Sequence, residues 1–389
     1  MATLPKPKLR KSKPLHLSEK WGKHDHTVLV LQGGGALGAY QAGVYEGLAE
    51  AGIAPDWVAG VSIGAINAAL ISGNVPEQRV PRLREFWERV SSRNPFIPPA
   101  TFDPLRPAFN RLNAASVAAF GVPGFFVPRF PSPLLAADGS HEALSIYDTG
   151  PLIATLNELV DFKLINNKQV RLSVGAVEVH TGNSKYFDNT QIHMGPEHIL
   201  ASGSLPPGFP PVSIEGNLFW DGGIVSNTPL WYVLDDSPRM NALILQVDLF
   251  SARGELPQNL DQVMERAKDI QYSSKTRFNT NRLKELDEMR DALGRVLAKL
   301  PAAMRKDADV QRLAVACNQC NVSLIHLINR RLSHAGSSKD YEFSRATVMD
   351  LWNSGLDAVR HAIAHPEWRN AAQMVNGMRV YDLDNLGPK

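Results

Sequence analysis

Thr27-Val28-Leu29-Val30-Leu31-Gln32 is a β-branched and apolar run. That is the pattern of a strand covered on both faces in a parallel sheet. Glycines follow at once, and over residues 38–52 the period changes, with Tyr40, Val44 and Leu48 on one helical face. Residues 56–61 read as a second short strand, 62–72 as an alanine-rich helix, and 75–90, with Phe86 and Trp87, as an amphipathic helix. Strand alternating with helix predicts an α/β fold with a mostly parallel central sheet and helices packed on its faces.

Over residues 94–145 this periodicity fades, and proline crowds with aromatic residues at 94–99 and 125–131. A long irregular segment in a compact domain reads as a lid or as an insertion covering core. Order resumes with a helix over 144–160 and a strand over 169–180. A turn at Thr181-Gly182-Asn183 and a return strand over 184–188 complete a hairpin. A short helix over 195–201 and a proline-rich stretch over 205–212 follow. Residues 217–220 then run into Asp221-Gly222-Gly223, and 242–249 is one more buried strand. Beyond about residue 256 no strand signal is evident, and 260–300 and 310–332 read as long amphipathic helices. Arg253-Gly254-Glu255-Leu256-Pro257 reads as a connector. It divides the chain into an α/β domain over 27–254 and a helical C-terminal extension over 255–389, whose helices are candidates for self-association.

The balance of 44% hydrophobic and 21% charged residues is that of a globular protein, and 389 residues can bury a large core. A net charge of +2 gives no sign of a nucleic-acid partner, but its distribution is uneven. Residues 1–26 carry Lys6, Lys8, Arg10, Lys11, Lys13, Lys20 and Lys23 against Glu19 and Asp25, with prolines and no apolar run. They read as a disordered basic tail that could rest on anionic lipid headgroups. With no secretory hydrophobic region, no membrane-spanning stretch and only Cys317 and Cys320, the expected location is cytoplasmic, with peripheral membrane contact.

The candidate chemistry lies where the strands end. Gly60-Val61-Ser62-Ile63-Gly64 is a G-x-S-x-G turn between a strand and a helix, the setting that holds a serine hydroxyl out as a nucleophile. Such a serine needs a partner for its proton and amides aimed at the oxyanion it creates. Gly33-Gly34-Gly35-Ala36-Leu37-Gly38 supplies consecutive amides, and Asp221, before Gly222 and Gly223, is a candidate base. Gly33–Gly38 also satisfies G-x-G-x-x-G, so a nucleotide-binding oxidoreductase using NAD or FAD stands as the rival. Against it, Asp56 precedes the strand leading to Ser62, where a ribose-binding acid would end one. A Ser-Asp-His order could use Asp248 with His326 or His334, but both histidines fall in stretches read as helices. Cys317 and Cys320 lack the second pair a zinc site needs. His24 and His26 fall in the tail, and Glu142, Asp148 and Asp188 read as surface or turn residues.

With these motifs in this order, the chain resembles the patatin-like phospholipase family over about residues 27–232. The stretch from Ala201 through Gly203, Pro206 and Gly208 to Val212, and the hairpin through Val177 and Phe187, are also similar to that family. The resemblance implies a three-layer α/β/α fold and a serine acyl hydrolase acting on lipid esters without a metal or cofactor. It implies Ser62 as nucleophile, Asp221 as base, and the amides of Gly33, Gly34, Gly35 and Ala36 as oxyanion hole. Many members carry Arg or Lys where this chain has Leu37, which bears on headgroup preference. Lys339-Asp340-Tyr341-Glu342-Phe343-Ser344 resembles the C-terminal extension of one bacterial subset. A scaffold that keeps the fold without turnover is the remaining alternative.

Overall fold

The computed structural model of the protein describes residues 25–91, 105–235, 241–274, 276–317, 321–329, 336–364 and 377–382. The first half runs β1 (His26–Leu31), α1 (Ala39–Glu50), β2 (Trp57–Val61), α2 (Ile63–Ser72), α3 (Pro76–Val90) and α4 (Arg106–Phe120). A small ribbon of β3 (Val127–Pro128) and β4 (Tyr147–Asp148) leads to α5 (Gly150–Leu159) and α6 (Phe162–Asn166). Next come β5 (Arg171–Glu178), β6 (Ser184–Asp188), α7 (Pro196–Ser202), β7 (Val212–Ile214), β8 (Asn217–Asp221), α8 (Leu230–Leu234) and β9 (Ala242–Asp248). The last part holds α9 (Leu260–Tyr272), α10 (Thr276–Ala298), α11 (Ala308–Ala316), β10 (Asn321–Ile328), α12 (Arg345–Ala364) and β11 (Gly377–Asp382).

Nine strands form one sheet in the order β11-β10-β9-β1-β2-β5-β8-β7, with β6 also paired to β5. From β11 to β5 every pairing is parallel. β6 and β8 run antiparallel to β5, and β7 runs antiparallel to β8. The period-2 geometry of β1 divides its apolar side chains between two layers. Leu29 and Leu31 face the larger core with Leu48, Ile66, Phe86 and Trp352. Val28 and Val30 face a smaller core with Trp57, Ile244, Leu324 and two side chains of α8, Leu230 and Val233. Burial on both sides is why β1 reads as an unbroken apolar run. The result is the expected α/β/α sandwich.

The region beyond residue 254 is helical in α9 to α12, as expected, but it also contributes two strands to the central sheet. β10 pairs with β9 in parallel and β11 pairs with β10. Asn321–Ile328, inside the stretch read as an amphipathic helix, is a short apolar run of the kind periodicity alone cannot assign. Pairing with β9 decides it. The expected helix over 260–300 is interrupted between α9 and α10 at Ser273 and Ser274. Within the segment that lacked periodicity lies a complete helix, α4. His26, assigned to the tail, instead opens β1, where its Nδ1 lies 3.1 Å from Asp56 Oδ1. Residues 1–24, His24 among them, lie outside the described part, as do 94–99, Cys320 and His334.

α12 packs directly on α1. A Cβ on Gly43 would lie 1.9 Å from the Trp352 carbonyl oxygen, and one on Gly355 would lie 2.1 Å from that of Tyr40. The helices touch backbone to backbone, so no side chain can give way. Glu46 seals the contact, accepting hydrogen bonds from Arg84 and from the Trp352 indole. Alanine favours helix over glycine by about 0.5–1 kcal/mol. Gly43→Ala should nevertheless lower the unfolding free energy by about 1–3 kcal/mol, as forced overpacking does. Urea unfolding checks this, and an unchanged midpoint would contradict the crossing.

Candidate active site

Ser62 sits between β2 and α2 with φ 57° and ψ −126°. A left-handed φ is uncommon for a side-chain-bearing residue and costs about 1–3 kcal/mol of strain. The flanking glycines permit it. A Cβ on Gly60 would lie 2.3 Å from the Gly64 carbonyl oxygen, and one on Gly64 would lie 2.3 Å from that of Leu31. The turn is anchored from α7: the Ser62 amide donates to the Ser202 carbonyl (3.0 Å) and hydroxyl (3.1 Å) oxygens. The Ser202 hydroxyl in turn donates to the Gly175 carbonyl, 2.6 Å away.

The register of β5 brings Asp221 to this serine. β2 pairs with β5 as far as Val61 opposite Gly175, and β8 starts at the next residue, with Asp221 opposite Ala176. β6 pairs with β5 over Ser173–Val177, overlapping both, so β2 and β8 must share the other edge. Gly222 fits the join, its Cβ position lying 2.5 Å from the Gly175 carbonyl oxygen. The Asp221 carboxylate, 1% exposed, accepts a hydrogen bond from the Gly223 amide at 2.7 Å, and the Ser62 side chain faces it in the same cavity. Burial raises its pKa from 3.8 to about 6, and the Ser62 hydroxyl and the Gly223 amide hold the rise in check. A carboxylate so placed is ionised at neutral pH yet basic enough to accept a hydroxyl proton.

The glycine loop after β1 arches over the same point. Gly35 takes φ +54°, and its Cβ position lies 2.1 Å from the Asp340 carbonyl oxygen. Two of the four expected oxyanion amides are spoken for: Gly33 donates to the Asn227 carbonyl at 3.1 Å and Ala36 to the Asp340 carbonyl at 2.7 Å. The amides of Gly34 and Gly35 have no backbone acceptor among the described residues. Below the loop, Gln32 receives the Leu249 and Phe250 amides at 2.6 and 2.9 Å, and its carbonyl receives Gln41 at 2.6 Å. Asn67 bonds Gly38 and Gln41 and accepts the Trp87 indole. These buried polar groups find partners in one another, which fixes the loop from beneath.

Ser62 and Asp221 open into a cavity of about 440 Å³. Its walls are mostly apolar: Ile66 from α2, Val117 from α4, then Phe125, Phe126, Phe209 and Phe343. The rings of Phe126 and Phe209 lie 5.1 Å apart, and those of Phe125 and Phe343 5.9 Å apart. The expected lid-or-insertion segment therefore supplies part of a cavity wall. Leu37 is absent from that wall: its side chain is buried in the larger core.

Other expected residues fall elsewhere. Asp248 and His326 do meet, Oδ2 to Nδ1 at 3.5 Å, but neither lines the cavity. His326 lies in β10 rather than on a helix. Asp56 bonds the Thr27 amide at the start of β1, away from the glycine loop at its other end. Asp188, read as a surface or turn residue, is buried and accepts from Arg171, Ser173, Thr190 and Tyr232. Among the described residues no cluster of three or more His, Cys, Asp or Glu side chains could hold a metal ion. Likewise, no described helix is long and apolar enough to cross a membrane. Sequence reasoning did not single out Ser202, Asn227, Tyr272 or Asp340 individually. Three of the four lay inside segments it had set apart.

An α/β/α sandwich with a serine turn lining an apolar cavity suits a lipid acyl hydrolase, and the family comparison gives that class to the chain. It belongs to the patatin-like phospholipase family, whose model matches residues 29–234. A second family model, described as patatin phospholipase, matches residues 270–374. Among solved structures, VipD from Legionella pneumophila is similar at 15% identity and a TM-score of 0.38, over 90% of this chain and 68% of that one. No curated protein matches the chain in sequence.

Burial of Asp221 has a thermodynamic consequence. Its folded pKa of about 6 lies above the 3.8 of an exposed aspartate, so the folded state holds the proton longer. Stability is therefore greatest below about pH 4 for this group and falls by about 3 kcal/mol as pH rises through about 6. Asp221→Asn removes the buried charge. Its stability advantage over the native protein should grow between pH 4 and pH 8, as followed by urea unfolding. A difference independent of pH would count against the shifted carboxylate.

Proposed function

We propose that the protein is a serine acyl hydrolase that cleaves carboxylic esters of lipids through Ser62 and Asp221. The observation that carries this reading is that Ser62, on its strained turn, and the buried Asp221 carboxylate line one mostly apolar cavity together with Gly34 and Gly35. Ser62 Oγ attacks the acyl carbonyl while Asp221 takes its proton. The amides of Gly34 and Gly35 receive the developing oxyanion. The tetrahedral intermediate collapses with transfer of that proton to the departing alcohol oxygen, leaving an acyl-enzyme. Water, activated by the regenerated Asp221 carboxylate, then releases the fatty acid and restores the serine. Oxyanion donors of this kind contribute on the order of 10²–10³ in rate each.

The acyl chain occupies the aromatic wall formed by Phe125, Phe126, Phe209 and Phe343. Contact with a lipid surface is supported by Phe130 and Leu134, which are almost fully exposed in the segment between Phe126 and Tyr147. The basic residues before Asp25 suit anionic headgroups at such a surface. No cofactor or metal enters this reading, and the location it favours is cytoplasmic with peripheral membrane contact.

A fluorophosphonate probe should label the protein, and Ser62→Ala should abolish labelling while leaving the unfolding midpoint within a few degrees. Asp221→Asn should lower turnover of a short-chain ester by roughly 10²-fold or more. The native rate should decline on the acid side with an inflection near the Asp221 value of about 6. Absence of labelling together with thermal stabilisation by NAD or FAD would turn the assignment toward the oxidoreductase.

A further inference from the structure

The residues around Asp340 lie far along the chain from the glycine loop, yet they complete it. The segment 336–344 runs along the cavity, placing the Asp340 carbonyl on the Ala36 amide and lining the cavity with Asp340, Tyr341 and Phe343. Its position is set by one face of α9. Lys268 Nζ donates to the Ser337 carbonyl at 2.8 Å and to Asp340 Oδ1 at 2.7 Å, clasping the segment at two points three residues apart. Ser337 Oγ donates to Asp261 at 2.6 Å, and Lys339 reaches back to Asp269 at 2.6 Å and Glu265 at 3.3 Å. The same helix reaches the glycine loop from its other side. Its last residue, Tyr272, accepts hydrogen bonds at its carbonyl from Asn227 (2.9 Å) and Gln32 (3.1 Å). Asn227 in turn holds both the amide and the carbonyl of Gly33.

The loop is thus gripped at Gly33 and at Ala36, and the free amides of Gly34 and Gly35 lie between the grips. Their direction depends on the left-handed turn at Gly35, which packs against the Asp340 carbonyl. An oxyanion donor works only when aimed in advance at the point where charge develops. We propose that Lys268 is a positioning residue of the oxyanion hole: by holding 336–344 in place, it fixes the Asp340 carbonyl on Ala36 and so aims the Gly34 and Gly35 amides. This rests on the acyl-hydrolase reading above and assigns a role to the C-terminal region within it. The contribution appears in the transition state, where the oxyanion exists, and not in ground-state binding.

The test compares native protein with Lys268→Met and Lys268→Arg, using the soluble acetyl ester of p-nitrophenol and a fluorophosphonate. Both Lys268 and Asp340 are partly exposed, so Lys268→Met leaves no fully buried charge unpaired. Lys268→Met should lower kcat roughly tenfold or more, as displaced catalytic groups do. With the acetyl ester, whose acyl group is too short to depend on the wall that Phe343 shares, KM should stay within about twofold of native. The labelling rate should fall by a similar factor, because phosphonylation of Ser62 needs the same donors. Lys268→Arg, which keeps the charge and its donors, should recover much of the loss.

Lys339→Met releases the segment from its other anchor and should give the same loss confined to kcat. The idea is overturned if both methionine variants fold and retain native kcat and labelling rate. A loss seen only in KM, or one that arginine does not relieve, also overturns it. A native protein that neither labels nor hydrolyses the ester would bring down the acyl-hydrolase reading itself, and this proposal with it. A labelled native protein with indifferent variants overturns only the role of Lys268.

Discussion

The site depends on a change of partner along one edge of β5. β2 occupies that edge up to Gly175 and then turns away at Ser62; β8 arrives from the opposite direction and takes over at Ala176 with Asp221. Two residues distant in the chain are thereby brought side by side by sheet hydrogen bonding, each at the end of its strand. The antiparallel β8 matters here. A parallel strand in that place would start, and not end, where β2 leaves off. A one-residue slip of β8 would turn the Asp221 side chain to the opposite face of the sheet.

The arrangement stores unfavourable energy at one point and recovers it in the surrounding layers. Ser62 holds a left-handed backbone, and Asp221 holds a carboxylate away from water. Both persist because the neighbouring structure leaves them no alternative. α7 grips the serine amide, the Gly222-Gly223 turn grips the carboxylate, and Gln32, Gln41 and Asn67 hold the loop opposite with bonds that satisfy one another. Leu37 belongs to this support. Its side chain lies in the core, so a cation at that position would have to leave the core to reach an anionic headgroup.

Much of this was legible in the residues. The unbroken apolar run of β1, the glycines of the elbow and the Asp-Gly-Gly turn each follow from a local rule, and those rules single out Ser62, Asp221 and the glycine loop as candidates that the fold brings to one cavity. What escaped depended on tertiary partners. Asn321–Ile328 looks helical until β9 lies beside it. Asp188 resembles an ordinary turn residue, and only the fold brings Arg171 and Tyr232 to it. The glycine loop shows the same limit: the resemblance implies four candidate oxyanion amides, but which of them lack a backbone acceptor depends on where the carbonyls of Asn227 and Asp340 come to rest. No pattern near residue 36 announces a partner at residue 340.

That long reach has a bearing on how the protein is made. Ser62, Asp221 and the glycine loop have all left the ribosome well before residues 336–344 and α12 are synthesised. Until those arrive, α1 lacks the helix that covers it and Ala36 lacks its acceptor. A nascent chain that stops short of residue 336 thus carries Ser62 and Asp221 without the carbonyl that holds Ala36. On the acyl-hydrolase reading, such a chain would present its serine before the amides beside it are aimed.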